Sequence, residues 1–194
     1  MKIYEAILAI LEKRGNVTIP AICEEMSEQI PGQTCESQSQ IIFEPGYIKT
    51  LITSNTELFI INDETVSIRP DKEALLLTVV LHGYPGPEMR VRIDFKRNTF
   101  TYFEWHLDAK ATGSLKAGTY GNVEELKNQL YSLRLWDWQD DYQTEGIIVD
   151  GTSWSVTLKT KGKTYESRGL ESYPEEWAEF CKAISKLVGI QFSC

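Results

Sequence analysis

The sequence predicts an α+β protein in two parts, and three observations carry that expectation. Apolar residues recur at helical spacing from Ile3 to Ile52. A short apolar hairpin follows around Leu58–Ile68. Beyond Pro70 the pattern becomes strands of alternating polarity with two helical segments among them. The 194 residues are 42% hydrophobic and 25% charged, which suffices for packed cores and argues against disorder.

In the first part, Ile3, Ile7, Leu8, Ile10 and Leu11 mark one face of a helix that Gly15 stops. A second helix starts near Thr18–Pro20, with Thr18 suited to cap it and Pro20 suited to its first turn. It turns Ile19, Ile22, Cys23 and Met26 inward and ends before Pro31-Gly32. The polar stretch Gln33–Gln40 predicts a loop. A third helix spans Pro45–Ser54, with Tyr47, Ile48, Leu51 and Ile52 on its apolar face. Leu58–Ile61, a turn at Asn62-Asp63-Glu64, and Val66–Ile68 make the hairpin.

Three helices followed by a two-stranded wing resemble the winged helix-turn-helix domains of bacterial regulators and restriction-linked proteins. The matching segments are IYEAILAILEKRG, PGYIKTLITSNTELFII and TVSIRP, and the resemblance covers residues 1–70. It implies contact with DNA through the third helix. The residues that helix offers are Tyr47, Lys49, Thr50 and, at its end, Asn55.

Residues 71–194 predict a second domain. Leu75, Leu77, Val79 and Leu81 interleave with Leu76, Thr78 and Val80, a strand apolar on both faces and so expected to be buried. Val91, Ile93 and Phe95 alternate with Arg90, Arg92 and Asp94. Lys96-Arg97-Asn98 then turns the chain into Phe100, Tyr102 and Trp105. Ala109–Gly121 reads as a loop. Asn122 caps a helix that buries Val123, Leu126, Leu130 and Leu133. Trp154, Val156 and Leu158 form a strand, which turns at Lys161-Gly162-Lys163 into Tyr165. A last helix carries Trp177, Phe180, Cys181, Ile184 and Leu187. The order β-β-β-α-β-β-α predicts helices packed on an antiparallel sheet. The segments WDWQDDY, DGTSW and YPEEW resemble a Trp-rich α+β module of uncharacterised bacterial proteins, a resemblance that implies no activity and no catalytic residue.

Charge narrows the function. The chain carries a net −8, and residues 1–70 hold five Lys/Arg against ten Asp/Glu. Such a balance argues against a protein that coats nucleic acid and suits a basic protein partner. The strongest basic cluster is Arg90, Arg92, Lys96 and Arg97. It reads either as one solvated sheet face or, with Tyr102 and Phe103 nearby, as a platform for single strands. Asp137, Asp140, Asp141, Glu145 and Asp150 crowd around Trp136 and Trp138 but lack the spacing of a calcium loop. Asp150-Gly151 reads as a turn, and Trp136, Trp138 and Tyr142 as anchors that leave the acids in water. His82 and His106 each end a strand.

No phosphate loop, nucleophile elbow or metalloprotease signature occurs. The expectation is therefore no catalysis, no cofactor, no metal and no small-molecule substrate. Cys23, Cys35, Cys181 and Cys194 lack zinc spacing and suit reduced thiols in the cytoplasm. No signal peptide opens the chain, and its longest apolar run, Ala74–Leu81, is too short to span a membrane. The expected function is a regulatory or adaptor protein that contacts DNA or another protein. The alternative is an acidic inhibitor from a phage or mobile element, directed at a nucleic-acid-handling host enzyme such as a CRISPR nuclease.

Overall fold

Five α-helices and two β-sheets make up the described part of the chain, a mixed α+β architecture. The structure is a computed structural model and describes residues 3–29, 43–84, 86–106, 114–117, 121–144, 146, 148 and 150–192. It divides into two units, Met1–Lys72 and Glu73–Cys194.

The first unit runs α1 (Ile3–Arg14), β1 (Val17–Thr18), α2 (Ile19–Gln29), α3 (Pro45–Ser54), β2 (Phe59–Asn62) and β3 (Thr65–Ile68). Helix α1 buries Ala6, Ile7, Leu8, Ile10 and Leu11. Gly15 ends it in the left-handed backbone region, with its N–H donating to the Leu11 carbonyl at 2.7 Å. Ile22, Met26, Ile48 and Ile52 complete the core beside Val66. Arg14 Nε lies 2.8 Å from the buried carboxylate of Glu25 and ties the end of α1 to α2. The hairpin β2–β3 turns at Asp63, whose left-handed backbone is one that Asp adopts more readily than most residues. Strand β1 pairs with β3, so the sheet order is β1-β3-β2. One expectation fails here: Tyr47 does not join the apolar face of α3. It is 51% exposed, because Ile48 and Ile52 alone fill that face against the core. The expected loop Gln33–Gln40 lies outside the described residues.

The second unit is a seven-stranded sheet, β4 (Ala74–Tyr84), β5 (Glu88–Asp94), β6 (Thr99–Trp105), β7 (Ser114–Ala117), β8 (Asp141–Gln143), β9 (Gly151–Thr160) and β10 (Thr164–Leu170). Its order is β7-β6-β5-β4-β9-β10-β8. Helix α4 (Val123–Leu133) follows β7, and α5 (Trp177–Val188) follows β10. The expected order β-β-β-α-β-β-α is thus short by two strands. Strand β7 falls inside the stretch expected to be a loop, and β8 inside the Trp-rich segment. Both are edge strands of three or four residues, too short to show a period. The sheet is also not wholly antiparallel, since β8 runs parallel to β10.

Burial alternates along every long strand. Leu77, Val79, Leu81, Val91, Ile93, Phe100, Tyr102, Trp154, Val156 and Leu158 are buried on one face. That face shares the core with Leu126 and Leu130 of α4 and with Phe180, Ile184 and Leu187 of α5. Asn122 caps α4: its side-chain oxygen accepts from the backbone N–H of Glu124 at 2.8 Å and of Glu125 at 3.3 Å. Gly121 lies where a Cβ would sit 2.5 Å from the Cα of Leu187, so the start of α4 passes directly over the end of α5.

Trp154 is the hub of the aromatic cluster. Its ring centroid lies 4.5 Å from Trp177, 5.5 Å from Tyr142 and 6.1 Å from Trp138, which packs edge-on. Its indole N–H donates to the Ser172 carbonyl at 2.8 Å. Gly169, paired with Trp154 across β9–β10, leaves room for that ring. A Cβ there would stand 2.5 Å from both the indole nitrogen and the Ser172 oxygen. Gly169→Ala should therefore destabilise the protein by about 1–3 kcal/mol through overpacking. Urea denaturation followed by tryptophan fluorescence checks this, with Gly162→Ala in the exposed β9–β10 turn as the comparison.

Candidate functional site

The residues singled out by the sequence fall on two surfaces, one in each unit. On the first, α3 is held by Ile48 and Ile52 and exposes Tyr47, Lys49 and Thr50. Pro45 opens the helix, as its fixed φ favours. The hydroxyls of this face turn inward to the helix itself. Thr50 Oγ1 donates to Gly46 O at 2.9 Å, Thr53 Oγ1 to Lys49 O at 3.0 Å, and Ser54 Oγ to Thr50 O at 2.8 Å. The outward surface is thus a tyrosine ring, methyl groups and one lysine. Asn55 has a structural job: its side-chain amide donates to Leu51 O at 2.7 Å and closes the helix end. The hairpin tip beside β2 carries Asp63 and Glu64, both exposed.

The second surface is the face of the large sheet opposite α4 and α5. Every described side chain on it is exposed or part-exposed. Two neighbouring rows cross β6, β5, β4 and β9 in register. One reads Phe103, Arg90, Val80, Ser155; the other reads Thr101, Arg92, Thr78, Thr157. No carboxylate stands in either row across these four strands. Arg90 is held by Glu88 at 3.0 Å. Arg92 sits between two threonines and has no ion-pair partner among the described residues. Lys96 and Arg97 are exposed in the turn after β5, where Asp94 accepts the Arg97 backbone N–H at 2.9 Å. The run Ala74–Leu81 is therefore not buried on both faces. Leu76 and Val80, both part-exposed, line the face opposite α4 and α5.

Tyr102 does not share the surface with Phe103. It is 1% exposed and points to the helix-covered face, since successive strand residues alternate. Trp105 takes its place, two residues beyond Phe103, and is the one tryptophan outside the buried set. Four aromatic residues crowd into Phe100–Trp105, so alternation in the sequence could not tell which parity faces out. The register of β6 on β5 decides it. A groove of about 690 Å³ continues over β9 and β10, lined by Ser155, Thr157, Glu166, Arg168 and Asp141. There Arg168 is 3.4 Å from Asp141.

The acids around the tryptophans do not converge. Asp137 pairs with Arg134 at 2.6 Å, Asp141 accepts from Gln143 at 2.7 Å, and Asp140 and Asp150 are exposed. Glu145 lies outside the described residues. Among the described residues, no three His, Cys, Asp or Glu side chains gather where they could hold a metal ion. Among them, too, no helix is long and apolar enough to cross a membrane. His82 lies on the open sheet face, 3.9 Å from Glu88. His106 instead contacts Glu104, on the other parity, at 2.8 Å. Burial pushes the Cys23 thiol up, which keeps it protonated and unreactive at neutral pH.

Comparison with known proteins finds no matching family model, no matching curated protein and no matching solved structure.

Tyr102 gives a pH signature. Burial, then the hydrogen bond it donates to Glu104 at 2.8 Å and the charge of that carboxylate, hold its phenol well above the usual range. The unfolded chain loses this proton at about pH 10, where the folded chain still keeps it. The folded state then binds more protons, so stability falls as pH rises. Stability from this group is complete below about pH 10 and declines above it. Urea titrations at stepped alkaline pH should show a shallower decline for Tyr102→Phe than for the wild-type protein.

Proposed function

We propose that this is a non-catalytic regulatory or adaptor protein that binds macromolecules, with a winged-helix N-terminal unit whose α3 contacts a protein partner. The order helix, strand, helix, helix, hairpin supports the winged-helix reading. The observation that carries the choice of partner is the face of α3: an exposed Tyr47 ring with a single lysine. Tyrosine is an amphipathic contact residue of the kind that anchors protein interfaces. A DNA-reading helix needs cations for phosphates and donors for base edges. Here Asn55 is committed to the helix end, and the wing tip presents Asp63 and Glu64.

The excess of acids in residues 1–70 favours one particular form of this function. An acidic unit competes for basic grooves that otherwise hold nucleic acid, which makes the protein an inhibitor of a nucleic-acid-handling enzyme. The partner's own activity separates the two forms. An adaptor leaves it intact, whereas an inhibitor lowers it in proportion to occupancy.

The full-length protein should capture a protein partner, and Tyr47→Ala should lose it. Because Tyr47 is exposed, that change should alter stability by no more than about 0.5 kcal/mol. Binding to a pool of random duplex DNA at two salt concentrations is the companion measurement. Salt-sensitive duplex binding that disappears in Lys49→Glu overturns the protein reading in favour of DNA.

A further inference from the structure

We infer that the open face of the large sheet is a binding surface for single-stranded nucleic acid, with Phe103 and Trp105 stacking on bases and Arg90, Arg92 and the β5–β6 turn holding phosphates. This surface lies in the second unit, so it stands or falls separately from the role of α3.

Charge complementarity is the first argument. The chain as a whole carries −8, yet β5 and its turn hold Arg90, Arg92, Lys96 and Arg97 against Glu88 and Asp94. The acids sit at the two ends of that strand, and the two rows between them contain none across β6, β5, β4 and β9. Arg92 is the centre of this region. It is exposed, flanked in register by Thr101 and Thr78, and without an ion-pair partner among the described residues. A guanidinium kept free of carboxylates is available to a phosphate oxygen.

Geometry is the second argument. Phe103 stands directly opposite Arg90 across β5–β6. Neighbouring strands are about 4.8 Å apart, so the Phe103 ring lies beside the Arg90 guanidinium, while Trp105 stands opposite Glu88 and Arg92 opposite Thr101. Alternate residues on one strand are about 7 Å apart, which gives Phe103 and Trp105 as two successive stacking positions. Duplex DNA hides its base faces and calls for an element that enters a groove, which a broad sheet face cannot do. Single strands offer their base faces to aromatic rings and their phosphates to the cations beside them. The hydroxyls of Thr78 and Thr101 border Arg92 with uncharged polar groups that tolerate any sequence.

The test uses the full-length protein and a fluorescein-labelled oligothymidylate of about sixteen nucleotides. Binding is expected at low salt, with a log–log salt slope of about −2 to −3 for three or four phosphate contacts. Trp105 emission should be quenched in the complex, and Trp105→Phe should remove that quenching. Arg92→Glu and Phe103→Leu should each weaken binding about tenfold or more while thermal midpoints stay close to the wild-type value. The inference is overturned if the oligonucleotide does not bind. It is equally overturned if both variants bind as tightly as the wild type, or if a duplex of the same length binds as tightly as the single strand. Failure to bind would assign the face to an acidic protein partner instead.

Discussion

The second unit depends on how Trp154 is seated. Its ring touches side chains from the segment after α4, from β8, from the chain before α5 and from α5 itself. Its one polar atom is satisfied by the Ser172 carbonyl. A buried indole N–H without a partner is costly, so this bond fixes the ring's direction as well as its depth. Gly169 then follows as a steric necessity, and with it the path of β10 beside β9. Thr144 and Thr152 tie the same corner together through Leu170 and Glu171. The parallel edge strand β8 is held where this corner closes.

Seating the tryptophans on one side has a consequence for the other. Trp138, Trp154 and Trp177 pack together on the face of the sheet that α5 covers. The opposite face keeps its alternate residues in solvent, which antiparallel sheets tolerate because those residues are mostly Ser, Thr and charged. Leu76, Val80, Phe103 and Trp105 depart from that rule. They place part-exposed apolar side chains beside arginines on the face opposite the helices.

Charge is distributed on the same logic. Among the described acids of the Trp-rich segment, Asp137 pairs with Arg134, Asp141 with Arg168 and Gln143, and Asp140 and Asp150 are exposed. Among the described residues, the first unit buries the carboxylate of Glu25 and answers it with Arg14. The chain as a whole carries −8, against which β5 and its turn gather Arg90, Arg92, Lys96 and Arg97.

Much of this was legible in the sequence. The period of α1, the bounds of α3, the hairpin at Asp63, the Asn122 cap and the alternation of β5 and β9 all follow from local rules, because each is enforced by neighbours a few residues away. The site was legible only in part. Arg90 and Arg92 announce an outward face by alternation, but helical spacing puts Tyr47 on the apolar side of α3, where the structure exposes it, and proximity puts Tyr102 with Phe103, where the structure sets Trp105. What the sequence by itself determined is the five helices and the longer strands, because only elements of several residues carry a readable period. Tertiary structure decided the pairing of β8 with β10, the recruitment of β7 as an edge, and which aromatic of β6 faces out. These depend on contacts between residues far apart in the chain, and no local period encodes a register that only a distant strand imposes.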